Sequence, residues 1–377
     1  GIPSLAGFIV AGILIGPNAI GVISDVHEVE LLAEIGVVLL LFGIGLELSL
    51  DKLRRLWKPV LIGGTLQVGL TIGAAAGVAR FFSLPLGQSI FIGFLVAISS
   101  TAIVLRGLEY RGEIDAPHGR FALGILVFQD LCVVPMMLAI PLLAGSGGGG
   151  WAPLLSLGKA ALVVGGVLVA ARIVVPRFLH LMARTGQRDL FVLAVLLVCI
   201  GTAWVVSLFG ISLALGAFLA GLVVAGSDYR HQAMADLIPF REVLASMFFI
   251  SVGMLLDPAA FLREPLPILG LFAAILLGKT LIIVLVGSVM RISFRVTLIT
   301  GMILSQLGEF LFVLSRAAEG TGLLDGSFTS KFMAAAILSM LITPFLMYLS
   351  PKFAAGVAKF GVLLRYMGVE NQEQTIS

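Results

Sequence analysis

The sequence contains few charged residues. Asp, Glu, Lys and Arg make up 12% of the 377 residues, whereas average soluble domains carry about 25%. This scarcity excludes an ordinary soluble protein. The composition is instead 59% hydrophobic, and many apolar runs exceed the roughly 18 residues that suggest a membrane span. Together these properties predict an all-α polytopic membrane protein.

Cysteine and histidine are also scarce, with two and four residues. Cys132 and Cys199 lie inside apolar runs, which argues against a disulfide framework or a thiolate metal site. The four histidines fall in connecting segments, and we assign them no metal: His27, His118, His180 and His231. The sequence offers no nucleophile-base constellation, so we predict neither an enzyme nor a cofactor in this chain. It also has no basic patch interleaved with aromatic residues, and nucleic acid is therefore not an expected partner.

Twelve membrane spans are predicted along the chain. Their approximate bounds are 2–23, 28–48, 56–80, 85–108, 117–143, 152–179, 189–209, 211–227, 238–256, 265–290, 296–318 and 328–350. With this count the basic residues alternate cleanly between the two sides, and the side rich in Lys and Arg is expected to be cytoplasmic. Both visible termini are therefore predicted to be cytoplasmic. The basic side carries Lys52, Arg54, Arg55, Lys58, Arg106, Arg111, Arg120, Arg172, Arg177, Arg184, Arg188, Arg230, Arg241, Arg291, Arg295, Lys352, Lys359 and Arg365, and the opposite loops carry Arg80, Arg263 and Lys331.

The chain repeats features at a nearly constant offset of 206 to 209 residues. Ala11-Gly12 recurs as Ala220-Gly221, Gly45 as Gly253, Ser99-Ser100 as Ser305-Gln306, and Pro135 as Pro344. Corresponding spans are an odd number apart, so the two halves cross the membrane in opposite senses. We therefore predict inverted repeats over about 2–143 and 211–350, with linking spans over 152–209. Inverted repeats around a midplane site are typical of secondary transporters.

Asp130 is the candidate reaction centre. It lies beside Gln129 at the centre of the apolar run 117–143, and a carboxylate at that depth costs about 2.5–3.5 kcal/mol on insertion scales. Pro135 displaces the carbonyl of Leu131, four residues earlier, and should leave that oxygen beside the carboxylate. A proton and a hard cation would compete for these oxygens, and this competition is the basis of an antiporter. A structural acid paired with a neighbouring helix is the alternative. The repeat offset maps Asp130 onto Ser339, so only one half carries the carboxylate.

Polar groups at mid-depth predict two discontinuous crossing helices. Ser99, Ser100 and Thr101 interrupt one apolar run, and Ser305-Gln306-Leu307-Gly308-Glu309 interrupts its repeat partner. Half-helix ends with free carbonyls and hydroxyls would then face one cation site. Packing within the membrane is the alternative for each hydroxyl.

Three further charged residues lie within the spans. Lys279 is too deep to reach the interface, so it needs a partner, and Asp130 and Glu309 are the available carboxylates. Such a pair could open for a cation or be purely structural. Glu309 and Arg316 lie seven residues apart on one helix face, and we assign Glu309 a structural or gating role. Gln306 is assigned the same possible gating role as Glu309.

The residues favour a transporter that exchanges a monovalent cation for protons by alternating access. The first alternative is a sodium:proton antiporter, which would use the same mechanism with another ion. A gated potassium channel belongs to another class, but the sequence contains no re-entrant filter of carbonyls.

The sequence resembles Kef-type proteins of the second monovalent cation:proton antiporter family. The matching stretches are Glu34–Val38, Gly45–Leu48, Leu126–Asp130, Tyr229–His231 and Phe248–Met254. The resemblance implies a sodium/proton-antiporter-like fold in a homodimer and assigns the transported cation or proton to Asp130, with Lys279 as a possible partner. Because Gln129 replaces the first of two adjacent aspartates, it implies electroneutral potassium exchange in a bacterial inner membrane.

The resemblance also implies missing parts. The family usually has thirteen spans and a cytosolic nucleotide-binding regulatory domain, so we expect that one helix precedes Gly1 and that the numbering begins inside a longer product. Residues 1–370 are then the transporter domain, and residues 371–377 are a tail or cut linker. The segment Asp228 to Arg241, with Tyr229, Arg230, His231 and Asp236, resembles the family's regulatory loop. Its acidic cluster is thin, which argues against control by glutathione.

Overall fold

A computed structural model describes residues 4–23, 26–47, 59–145, 152–209, 213–254, 263–324 and 326–359. Within these ranges the regular elements are all helices, as the composition predicts. The predicted tail over 371–377 and the predicted cytoplasmic residues Lys52, Arg54, Arg55, Lys58 and Arg365 lie outside the described ranges.

The helices follow the predicted spans closely, with two spans divided. They are α1 (Ser4–Ile15), α2 (Val26–Glu47), α3 (Gly64–Phe81, entered through the π-turn Pro59–Gly63), α4 (Leu86–Ala97), α5 (Thr101–Arg111), α6 (Pro117–Leu143), α7 (Ala152–Ala183), α8 (Arg188–Ser207), α9 (Leu213–Ala225), α10 (Arg230–Met254), α11 (Pro265–Val289), α12 (Phe294–Ile303), α13 (Phe310–Ala317) and α14 (Gly326–Lys359). Six apolar stretches in the described ranges are long enough to cross a membrane. The count of twelve spans stays a prediction.

The described helices expose apolar stripes that suit contact with lipid. On α8, Leu193, Leu197 and Trp204 are each about 60% exposed and lie at helical spacing along one face. On α11 the same holds for Leu277 and Leu281. Apolar surface of this extent would cause association in water, so the fold is that of a multi-pass membrane protein.

Glycine pairs bring two pairs of helices into close contact. A Cβ on Gly253 of α10 would lie 2.2 Å from the Ile9 carbonyl oxygen of α1. A Cβ on Gly221 of α9 would lie 2.1 Å from the Phe42 carbonyl oxygen of α2. Gly221 and Gly253 are the offset partners of Gly12 and Gly45, so the two contacts correspond under the predicted repeat. The opposite orientation of the two halves stays a prediction.

The segment expected to be a loop over 228–241 is helical from Arg230 onward. Ala233 and Leu237 are four residues apart and both buried, so one face of this turn packs on the protein. That apolar face extends the helix from Arg230 through Pro239, whereas the predicted span began at residue 238.

The two divided spans lie at the centre of the fold. Residues 98–100 separate α4 from α5, and residues 304–309 separate α12 from α13. The backbone N–H of Gly308 donates to the carbonyl oxygen of Ile98 at 3.1 Å, so the two interruptions cross each other. We call this pair of segments the crossing.

Candidate functional site

The first segment of the crossing changes from helix to extended backbone. Ile98 and Ser100 both have extended φ and ψ angles, and α5 begins directly after them. The Ser100 hydroxyl accepts a hydrogen bond from the Ile103 N–H at 3.3 Å, which is the usual N-cap arrangement. Ser100, predicted as a cation ligand, therefore caps the half-helix in this structure.

The second segment of the crossing depends on a glycine and a serine. A Cβ on Gly308 would lie 2.6 Å from the Ser99 carbonyl, so only glycine permits this approach of the two backbones. The Leu307 N–H donates to the Ser339 hydroxyl at 3.0 Å. Ser339, the offset partner of Asp130, thus bonds to the segment that precedes the half-helix α13.

Asp130 lies on α6 directly opposite the start of α5. The Thr101 hydroxyl is 3.1 and 3.2 Å from the two carboxylate oxygens of Asp130. These contacts bring together two of the predicted site residues. The carboxylate is partly exposed, so it does not point into a sealed core.

A narrow pocket adjoins Asp130. In this conformation it has no room for a water molecule. Apart from Asp130 its lining is apolar: Leu41, Val133, Val134, Met137, Leu215, Phe218 and Phe310. The lining comes from α2 and α9 on one side and from α6 and α13 on the other. Asp130 therefore faces the contact between the glycine-paired helices and the crossing.

Lys279 reaches the crossing from α11. Its ammonium group donates to the carbonyl oxygens of Ile98 and Gln306 at 3.0 and 2.7 Å and to the Ser99 hydroxyl at 2.9 Å. The side chain is 1% exposed. In this structure Lys279 binds both segments of the crossing, and its three acceptors are carbonyl and hydroxyl oxygens.

Gln129 also holds the crossing. Its side-chain oxygen accepts the Ser99 N–H at 2.8 Å, and its side-chain nitrogen donates to the Gln67 oxygen at 2.8 Å. Gln129 was predicted as a cation ligand, but its polar atoms here face the Ser99 N–H, the Gln67 amide oxygen and, at 3.5 Å, the Ser99 hydroxyl. Ser99 likewise uses its hydroxyl hydrogen on the Leu304 carbonyl at 2.8 Å.

Gln67 and Thr71 of α3 were missed by the sequence analysis. Gln67 donates to the Ala97 carbonyl and to the Thr71 hydroxyl, both at 3.1 Å. A signal was present, because Gln67 is an uncharged polar residue at the middle of an apolar run. Only the fold places it against the crossing.

Several carbonyl oxygens at the crossing are engaged by side-chain donors. Those of Ile98, Leu304 and Gln306 accept from Lys279 or Ser99, and that of Ala97, at the end of α4, accepts from Gln67. The sequence analysis expected such carbonyls to bind a dehydrated cation. In this conformation they hold the crossing together, whereas Asp130 lines the pocket.

The residues predicted as a possible gate, Gln306, Glu309 and Arg316, have different surroundings. Gln306 is fully buried, and its side-chain amide has no hydrogen-bond partner among the described residues. Glu309 is 5% exposed at the beginning of α13. Arg316, at the other end of that helix, pairs with Glu319 at 3.4 Å.

The predicted regulatory residues form a cluster where α7, α8 and α10 meet. The Tyr229 hydroxyl lies 2.6 Å from His180 Nδ1, and Arg188 pairs with the buried Asp236 at 2.7 Å. Arg230 donates to the Leu46 carbonyl at 3.0 Å, whereas His231 is exposed. Arg230 thus ties α10 to the end of α2, Asp236 ties α10 to α8, and Tyr229 contacts α7.

The two helices that carry Thr101 and Asp130 are also joined at their far ends. Glu113, in the connection between α5 and α6, accepts two hydrogen bonds from Arg111 at 3.0 and 2.9 Å. His118 lies 3.2 Å from the same carboxylate. Hydrogen bonding from Arg111 lowers the pKa of Glu113, which favours its charged form. This contact helps α5 and α6 to keep a fixed relation.

The family models and known proteins agree on what this chain is similar to. The model described as sodium/hydrogen exchanger, transmembrane, matches residues 1–348. K(+) efflux antiporter 2, chloroplastic, of Arabidopsis thaliana is 36% identical over 90% of this chain, and the glutathione-regulated potassium-efflux system protein KefC of Cronobacter sakazakii is 36% identical over 93%. The chain spans 30% of the length of the first relative and 57% of the second.

The fold has a counterpart among solved structures. The sodium proton antiporter MjNhaP1 from Methanocaldococcus jannaschii superposes with a TM-score of 0.63, over 97% of this chain and 93% of the other, at 17% sequence identity. At this identity the likeness extends to the fold alone.

Proposed function

Because this chain belongs to the sodium/hydrogen exchanger family and is a Kef-type member of it, we propose that it exchanges a monovalent cation for protons by alternating access. Its role is then transport rather than catalysis. The observation that carries the proposal is the partly exposed Asp130 beside the crossing, bonded to Thr101. A carboxylate that faces a pocket within a membrane fold can hold either a proton or a cation.

The exchange proceeds in four steps at this carboxylate. Asp130 binds a cation from one side, and the cation displaces the proton because both need the same oxygens. The elements that carry the crossing then move against α2 and α9, so that the pocket opens to the other side. There a proton replaces the cation, and the protonated form returns. The apolar lining from Leu41, Phe218 and Phe310 suits this step, since it excludes water without forming polar bonds that movement would have to break.

The transported ion is proposed to be potassium, in an electroneutral exchange. The two named relatives are described as potassium-efflux proteins, and this supports potassium over sodium. The family description and the related fold name sodium, so a sodium:proton antiporter is the second candidate. The names antiporter and exchanger favour exchange over a gated potassium channel.

The surroundings of the exchanger are part of the proposal. We place it in a bacterial inner membrane as a homodimer, with both visible termini in the cytoplasm. The relatives are longer than this chain, which supports a regulatory domain beyond it. The cluster of Tyr229, Arg230 and Asp236 lies at the end of α2, where a regulator could act on the helices that line the pocket.

Proton movement in proteoliposomes tests this function. A pH-sensitive dye is enclosed, and potassium, sodium, rubidium or lithium is added outside in turn. We expect potassium to release internal protons most effectively in the unmodified protein and Asp130→Asn to abolish the response. Asparagine keeps an oxygen for Thr101 but cannot exchange a proton, so the fold should survive, as checked by thermal unfolding.

Each other outcome has a definite meaning. Undiminished exchange in Asp130→Asn would refute the assignment of the site. A response to sodium alone would favour the second candidate. Absence of cation-driven proton movement with all four ions would overturn the proposed function.

A further inference from the structure

We propose that Gln67 is a positioning residue for cation–proton exchange, acting through Gln129 on the crossing that faces Asp130. This inference rests on the proposed function and extends it to a residue on α3, outside the elements that carry the carboxylate. Gln67 is not expected to touch the transported ion. It sets the position of the groups that do.

The first observation is that the side chain of Gln67 is fully buried and fully bonded. Its exposure is 0%. Its nitrogen donates to the Ala97 carbonyl and the Thr71 hydroxyl, both at 3.1 Å, and its oxygen accepts from Gln129 at 2.8 Å. The Thr71 hydroxyl hydrogen is itself used on the Gln67 carbonyl at 2.7 Å, so Thr71 can only accept. The orientation of the Gln67 amide is therefore fixed.

This orientation dictates that of Gln129. With the Gln67 oxygen as acceptor, the Gln129 nitrogen must face α3, and the Gln129 oxygen must face the Ser99 N–H, which it binds at 2.8 Å. In a flipped Gln129 amide, the Gln129 oxygen would face the Gln67 oxygen, so that two acceptors meet. The Gln129 nitrogen would face the Ser99 N–H, so that two donors meet. Because buried polar groups are costly to leave unpaired, the flipped form is strongly disfavoured.

The third observation links this chain of bonds to the carboxylate. Gln129 precedes Asp130 on α6, and Ser99 lies two residues before Thr101. The bond between Ser99 and Gln129 and the bond between Thr101 and Asp130 thus link α6 to two neighbouring points of the chain, Ser99 at the crossing and Thr101 at the start of α5. If the first bond is lost, the crossing can shift against α6, and the contacts of 3.1 and 3.2 Å between Thr101 and Asp130 are no longer fixed. Since cation ligation tolerates only small displacements of its oxygens, the affinity for the cation should suffer first.

The test compares Gln67→Leu with Val68→Ala in proteoliposomes. Gln67→Leu leaves the Gln129 nitrogen without its acceptor, so we expect the cation concentration for half-maximal exchange to rise about tenfold while the maximal rate stays near that of the unmodified protein. Val68 is also buried on α3 but belongs to the apolar core, so Val68→Ala should lower thermal stability and leave the half-maximal concentration unchanged. Equal behaviour of the two variants would overturn the inference.

A double variant tests whether Gln67 acts through Gln129. Once Gln129→Leu has removed the bond to Ser99, adding Gln67→Leu should raise the half-maximal concentration no further. If the fold-changes of the two single variants multiply in the double variant, Gln67 acts independently and the inference fails.

Gln67→Glu covers the case in which the leucine variant does not fold. A protonated glutamic acid keeps one acceptor for Gln129 and one donor for Ala97, whereas its ionised form would oppose the Ala97 and Thr71 oxygens. At low pH we expect a half-maximal concentration within about threefold of that of the unmodified protein, and at higher pH a ratio of the two concentrations that increases with pH. A pH profile identical to that of the unmodified protein would contradict the inference.

The two proposals fail in different ways. If the unmodified protein moves no protons in response to any cation, the proposed function fails whatever Gln67 does. If it is active, Asp130→Asn is inactive, and Gln67→Leu matches Val68→Ala, only the role of Gln67 is refuted.

Discussion

Lys279 shows most clearly how one side chain can determine the local structure. An ammonium group carries three hydrogens, and Lys279 has three acceptors: the carbonyls of Ile98 and Gln306 and the Ser99 hydroxyl, whose own hydrogen goes to Leu304. Hydrogen bonds from a charged donor are roughly twice as strong as neutral ones. The interruption of two helices leaves carbonyl oxygens in both segments of the crossing without helical partners. One lysine bonds to carbonyls of both segments and thus holds them together.

Replacing this lysine should destabilise the fold. In Lys279→Met the Gln306 carbonyl loses its donor, and an orphaned buried group costs about 1–3 kcal/mol. The Ile98 carbonyl keeps the Gly308 N–H and the Ser99 hydroxyl keeps its bond to Leu304, but both lose a bond to a charged donor. We expect a fall of several degrees in the thermal midpoint of the purified protein. The control is Thr280→Val on the next residue, which removes a hydroxyl that bonds to carbonyls but leaves the Leu276 carbonyl its helical partner. Equal midpoints for the two variants would show that Lys279 does not hold the crossing.

At the scale of elements, glycine determines which helices can approach each other. Gly12 and Gly253 join α1 to α10, and Gly45 and Gly221 join α2 to α9. Helices in a membrane gain nothing from excluding lipid, which is as apolar as their side chains, so close backbone packing is a principal source of their association. These contacts make a compact frame on one side of the pocket, against which the elements of the crossing can move.

A single methyl group should disturb that frame. In Gly253→Ala the new Cβ would lie 2.2 Å from the Ile9 carbonyl oxygen, so α1 and α10 must separate, at a cost of about 1–3 kcal/mol. Gly270 on α11 has no atom within 4 Å of its Cβ position. Gly270→Ala should therefore be neutral or slightly stabilising, because alanine favours helix. Thermal unfolding of both variants checks this difference, and a Gly253→Ala protein as stable as Gly270→Ala would contradict the packing argument.

At the scale of the whole molecule, the dependence of the exchange rate on membrane potential is set by the net charge that crosses the membrane with the site. Asp130 with a bound monovalent cation is neutral, and so is protonated Asp130. Lys279 stays on the carbonyls of the crossing in this structure, so its charge accompanies both forms. In the proposed one-to-one exchange of cation and proton, the net charge that crosses the membrane in a full cycle is then zero.

Exchange should therefore be insensitive to membrane potential. With a fixed potassium gradient, we expect the rate of proton movement in proteoliposomes to be nearly the same with and without valinomycin, after subtraction of the leak in protein-free liposomes. One uncompensated charge would contribute about 2.3 kcal/mol per 100 mV. A rate that changes severalfold with valinomycin would rule out electroneutral exchange.

Much of the fold and part of the site could be predicted from the sequence. The apolar runs predict helices because a membrane leaves helices as the simplest way to pair every backbone group. The polar residues at 99–101 and 305–309 predict the two interruptions that the structure contains. Asp130 and Thr101 were both assigned to the site, and they are in contact.

The partners of the buried polar residues could not be predicted. Gln129 and Ser100 carry oxygens suited to a cation, yet here they bond to backbone N–H groups. Lys279 was expected to need a carboxylate, but carbonyls accept its hydrogens. Gln67 received no role. Apart from the local bond of Ser100, these partners depend on which backbone groups an interruption leaves unpaired and on distances between segments 30 to 181 residues apart.

The sequence by itself determined that this protein is helical, lies in a membrane and carries an acid within it, because composition and periodicity act locally and do not depend on long-range contacts. Only the tertiary structure decided that the crossing is held by Lys279, Gln129 and Gln67, and that Asp130 faces the helices joined by glycine. The physical reason is that a hydrogen bond requires two groups within about 3 Å, and the chain alone does not say which distant groups will meet.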